Sequence, residues 1–125
     1  MNSTFTKILR IILGLILLLF GLNKFFDFML LFEMSPAGAN FIETLKASGY
    51  IFYTVAVFEI CVALLLIFRK WVPFALIVLA PLSLNILLFH LFLDVSDVWV
   101  AIVIAVLNGI LIFKYWKAYR SLFQY

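Results

Sequence analysis

Four long apolar stretches, more than any motif, limit what this chain can fold into. They cover about residues 5–22, 50–68, 72–93 and 98–114 of 125. Each is close to the roughly 20 residues an α-helix needs to cross a bilayer's hydrocarbon core at about 1.5 Å per residue. Membrane-barrel strands are shorter and alternate in polarity, a pattern this sequence lacks. Composition agrees, with 68% hydrophobic and 12% charged residues, against roughly 45–50% and about 25% in soluble domains. Apolar surface on that scale aggregates in water and is at home among lipid tails. The links Arg69-Lys70-Trp71 and Asp94-Val95-Ser96-Asp97 are short, which sets successive helices antiparallel. The expected fold is all-α: a single transmembrane domain over residues 1–125, built as an integral membrane antiparallel four-helix bundle.

Charge placement gives the expected orientation. Lys7, Arg10, Arg69, Lys70, Lys114, Lys117 and Arg120 fall at one set of helix ends, and only Lys24 and Lys46 at the other. Acidic residues show the reverse, with Asp27, Glu33, Glu43, Asp94 and Asp97 opposite the basic ends. Basic residues stay in the cytoplasm during insertion, so both termini are expected there. The net charge of +3 therefore reads as a topology signal, since it forms no basic stripe suited to nucleic acid. The tail Lys114-Tyr115-Trp116-Lys117-Ala118-Tyr119-Arg120 mixes aromatic and basic residues as an interfacial anchor does. Lys7 and Arg10 before an apolar run also resemble a signal peptide. Ala37-Gly38-Ala39, the small-x-small triplet, lies too far beyond that run, with Lys24, Asp27 and Glu33 between, to be its cleavage site. An uncleaved signal anchor is expected.

The segment 23–49 is expected to be external and to form a short helix or lid. Ser35-Pro36 reads as an N-cap followed by proline at the first helical position. The helix then runs through Phe41, Ile42 and Leu45 and stops near Ser48-Gly49. Phe25, Phe26, Phe28, Met29, Leu30, Leu31 and Phe32 are too apolar for a solvated loop. They either extend the first helix or lie along the outer interface.

Within hydrocarbon the polar side chains are the informative ones, because an ionisable group there needs an inward face and a partner. The candidates are Asn23 and Lys24 at the end of the first helix, Glu59 in the second, Asn85 and His90 in the third and Asn108 in the fourth. Counting helical rise puts all of them between mid-membrane and the outer face. Glu59 paired with Lys24 or His90 keeps its charge, so these six residues are expected to line a polar pocket in the outer half. The plainer reading makes them inter-helix hydrogen bonds. Five residues separate Asn85 from His90, so the two diverge by about 140°, whereas Ser83 and His90 share a face. Pro81 either kinks the third span or is a packing irregularity. Gly14 and Gly21, and Ala101, Ala105, Asn108 and Gly109, read as small-residue seams for close helix approach. Cys61 is a lone thiol in an apolar run, with no partner for a disulfide or metal. A single histidine, His90, makes a haem or zinc site within one chain an unfavoured reading. No metal is expected, and there is no phosphate loop or HExxH motif.

Gly21-Leu22-Asn23-Lys24-Phe25 closing the first helix, Ser48-Gly49-Tyr50 opening the second and Glu59 within it resemble the DoxX-like family of small four-helix membrane proteins. Ala80-Pro81, Asn85-Ile86 and Phe89-His90 resemble a bacterial branch of it. The resemblance covers nearly the whole chain. It implies a four-helix bundle in a bacterial inner membrane, with family positions falling on Gly21, Asn23, Lys24, Phe25 and Glu59. Members named for the family are associated with thiosulfate oxidation coupled to quinone, others with redox-stress complexes. The leading expectation is then a binding or accessory protein holding a small lipophilic molecule such as a quinone. Lys24 and His90 donate hydrogen bonds in that reading, and Glu59 takes or holds a proton. The alternatives are an oxidoreductase subunit in which Glu59 and His90 relay protons during quinone reduction, and a structural bundle that supports a membrane partner protein or a homo-oligomer.

Overall fold

The structure is a computed structural model that describes residues 4–26, 36–93 and 98–123. The expected Ser35 cap, the run Phe28 to Phe32 and the link 94–97 lie outside the described residues. Helices are α1 (Thr4–Phe26), α2 (Pro36–Ala47), α3 (Ile51–Ile67), α4 (Val72–Phe92), α5 (Val98–Lys114) and the single turn α6 (Trp116–Tyr119), followed by a 3-10 turn. No strand occurs among the described residues. α1 packs chiefly on α3 and α4 on α5, with lighter contacts from α3 to α4 and from α1 to α5.

Length and apolarity qualify α1 and α4 as membrane spans outright, and α2 with α3 as a third if that pair, bent by 93°, counts as one. Of the four crossings expected from the sequence, length and apolarity support two to three. The shortfall lies in α3 and α5, each 17 residues long and so about 25 Å at 1.5 Å per residue. α3 is trimmed because Gly49 takes a left-handed φ of 89° and Ser48 caps the new start, its Oγ accepting the Ile51 amide at 3.1 Å. α2 begins at Pro36 and ends at Ala47 as expected, and Phe25 and Phe26 extend α1.

Each long helix turns one stripe inward. On α1 the buried residues are Thr6, Arg10, Leu13, Gly14, Leu17 and Gly21, spaced three and four apart as one helical face requires. The opposite faces are apolar too: Leu15, Val57, Leu84 and Val106 are each about half exposed. A helix apolar all round belongs in lipid, so these surfaces place the protein in a bilayer.

The two glycines of α1 behave as a seam. A Cβ on Gly14 would stand 2.8 Å from Ile67 Cγ1, and one on Gly21 2.7 Å from Ile60 Cγ1 and 3.2 Å from the Ala56 carbonyl oxygen. The α5 reading holds only in part. Ala101 and Asn108 are buried, but a Cβ on the exposed Gly109 meets nothing within 4 Å, because it lies 100° around the helix from Asn108. Cys61 is also exposed, on the outer face of α3.

The end of α3 is fully satisfied. The Leu64 oxygen accepts from Phe68 and the Leu65 oxygen from Lys70, while the Arg10 guanidinium donates to the Leu66 and Ile67 oxygens. An unpaired carbonyl in hydrocarbon costs several kcal/mol, and the cation also suits the negative end of the helix dipole. Arg10 is 5% exposed. The expectation that intramembrane polar groups avoid the basic half is corrected by this residue, which is a buried cap as well as a topology charge.

Candidate functional site

Glu59 sits on the inward stripe of α3, between Ala56 and Val62, because a three-residue step keeps it on the face that meets α1. The carboxyl is 1% exposed and its Oε1 lies 2.8 Å from Nζ of Lys24, which is 24% exposed. Lys24 reaches it from the last turn of α1. Gly21 allows this approach of α1 to α3, since a Cβ there would lie 2.7 Å from Ile60 Cγ1. Lys24 is the partner that holds Oε1, by charge and at hydrogen-bond distance. An ionised carboxyl has about four acceptor sites, so one ammonium leaves the pair capacity for a further donor.

Aromatic rings close this end of the structure. Phe52 lies beneath two cations, with Lys24 Nζ 6.0 Å and Lys46 Nζ 5.1 Å from its centroid. Phe25 stacks on Tyr53 at 5.5 Å. Phe41 of α2 meets Phe89 near the end of α4 at 5.6 Å.

The other expected residues divide. His90 is buried on α4, its ring edge-on to Phe89 at 5.1 Å; its face is shared with Ser83, as the seven-residue spacing requires. Asn23 is half-buried beside Lys24. Asn85 is exposed and returns its amide to its own helix, donating to the Pro81 carbonyl at 2.9 Å; the structure does not bring it to Glu59. Asn108 joins a separate cluster, accepting from Ser83 Oγ at 3.1 Å and donating to the Leu76 carbonyl at 3.1 Å. That cluster ties α4 to α5, the plainer of the two roles expected of it. Among the described residues no group of three His, Cys, Asp or Glu side chains is placed to hold a metal.

Two contributors escaped the sequence reading. Ser83, a hydroxyl seven residues before His90, lies on the same buried stripe of α4. Arg10 stands three, four and seven residues before Leu13, Gly14 and Leu17, and that periodicity already placed it inward.

A sequence-family model described as DoxX matches residues 5–91, more than half of the chain. The matched segment holds Lys24, Glu59 and His90 and stops short of Asn108. No curated protein and no solved structure gives a match.

Proposed function

Because the chain belongs to the DoxX family, we propose that it is a binding or accessory membrane protein whose Lys24–Glu59 pair holds the polar head of a small lipophilic molecule of the quinone class. The observation that carries this reading is the buried ion pair itself, a Glu59 carboxyl sealed at 1% exposure beside an ammonium still a quarter exposed. A quinol head has a hydroxyl to donate to Glu59 and an oxygen to accept from Lys24. Its apolar tail has lipid-facing helix surface to follow. His90, on the inward face of α4, is a second donor for such a head, and Asn23 flanks Lys24.

The proposed setting is a bacterial inner membrane, with α3 and α5 completing four antiparallel crossings and both termini cytoplasmic. At 17 residues, α3 and α5 sit at the lower bound for a span, and each runs beside a longer helix. A photoreactive quinone analogue added to the purified protein should label α1 or α3 near Lys24 and Tyr53, and Lys24→Met should abolish that labelling. Labelling that ignores the substitution would end the ligand reading.

A structural role is the second reading, favoured by the Asn108–Ser83 cluster and the glycine seam, which lock helix pairs without needing a ligand. It predicts that Lys24→Met lowers stability while no lipophilic molecule is lost.

A further inference from the structure

Three contacts gather four chain segments at the end of the molecule opposite α2. Arg10 near the start of α1 meets the last carbonyls of α3. Tyr119 of α6 donates to the Pro73 carbonyl at the start of α4 at 2.6 Å. Lys114 at the end of α5 stands 5.5 Å from the ring centroid of Phe5 in α1. Lys7, Arg69, Lys70, Lys114, Lys117 and Arg120 therefore share this end, and all six are exposed. The acidic residues among those described, Glu43 on α2 and Glu59 in the middle of α3, lie elsewhere. Exposed aromatic rings stand among the cations: Phe68 at 68%, Trp71 at 74% and Trp116 at 48%.

We propose that this end binds anionic phospholipid headgroups. Six cations with no acidic side chain between them among the described residues set up a field that collects anions. The spans α1 and α4 begin here, so the cations stand at headgroup depth, where the available anion is a lipid phosphate. Indole rings favour the same level. An acidic soluble protein would match the charge, but not the exposed rings and apolar helix surface that continue from it. A phospholipid supplies both the phosphate and the chains.

The test is native mass spectrometry of the full-length protein equilibrated with equal amounts of phosphatidylglycerol and phosphatidylcholine. Wild type should retain phosphatidylglycerol preferentially. Each surface cation is worth roughly five-fold in partitioning to anionic lipid, so Lys7→Gln with Lys70→Gln and Lys117→Gln should cut the preference at least about ten-fold. Lys46→Gln, at the opposite end, should leave it unchanged. Equal retention of the two lipids by wild type overturns the proposal, as does a triple variant that keeps the full preference. If the triple variant does not fold, wild type still decides: raising salt should erase the preference by screening, and a preference indifferent to salt overturns it.

Discussion

Lys24 and Glu59 are unequal partners, and the inequality makes a prediction. Glu59 is sealed at 1% exposure while Lys24 keeps 24%, so the ammonium can turn to water and the carboxyl cannot. Removing one member of a buried pair costs about 3–5 kcal/mol when the other stays buried. Lys24→Met should therefore destabilise by about that much, and Glu59→Gln by only about 1–2 kcal/mol, roughly one lost charge-assisted bond. Denaturation in detergent checks the order, and the reverse order contradicts the geometry. Tyr119 makes a second case, outside the spans. Burial, with Tyr115 adding a smaller push, raises its hydroxyl from 10.0 to about 12. Because the folded value lies above the unfolded one, this contribution is complete below pH 10.0 and is lost as pH rises to about 12. Tyr119→Phe should remove that alkaline step from a stability–pH profile, together with about 1 kcal/mol from the bond to Pro73.

At the scale of helices, the α1–α3 seam and the α3 terminus carry the fold. Gly21→Ala places a Cβ against Ile60 and the Ala56 carbonyl, and overpacking of that kind costs about 1–3 kcal/mol. Gly109→Ala, facing open space, should be neutral or stabilising by up to about 1 kcal/mol. Comparing the two variants in one unfolding assay separates a seam from a merely glycine-bearing helix. Arg10→Met should uncover the Leu66 and Ile67 carbonyls and cost about 1–3 kcal/mol. These elements also show what the sequence carried. The cost of a charge in hydrocarbon put Glu59 inward, and helical spacing set Ser83 and His90 on one face, with His90 about 140° from Asn85. Asn85 was still expected in the pocket, yet the structure turns it outward. Gly109 and Cys61 resisted, because an apolar helix gives no polar face to tell lipid from core. Arg10 resisted because a charge near a span's end already had one sufficient explanation.

For the whole molecule, the apolar runs were enough to announce an all-α membrane protein, and the pairing of α4 with α5 follows from a short link, whereas that of α1 with α3, across the α2 segment, does not. The number of crossings was not legible, because one turn of helix more or less at Ser48-Gly49 moves α3 across the spanning length. The proposed orientation predicts that, in a Cys61→Ala background, Ala47→Cys reacts with an impermeant thiol reagent in intact spheroplasts. Ala118→Cys should react only after lysis; labelling of both from one side would refute four crossings. The central claim is that the Lys24–Glu59 pair holds a lipophilic ligand. Mass spectrometry of the lipid-soluble molecules that co-purify with wild type and with Lys24→Met tests it most directly. A quinone-class molecule present with wild type and lost from the variant is the predicted result, and an identical complement in both would contradict it.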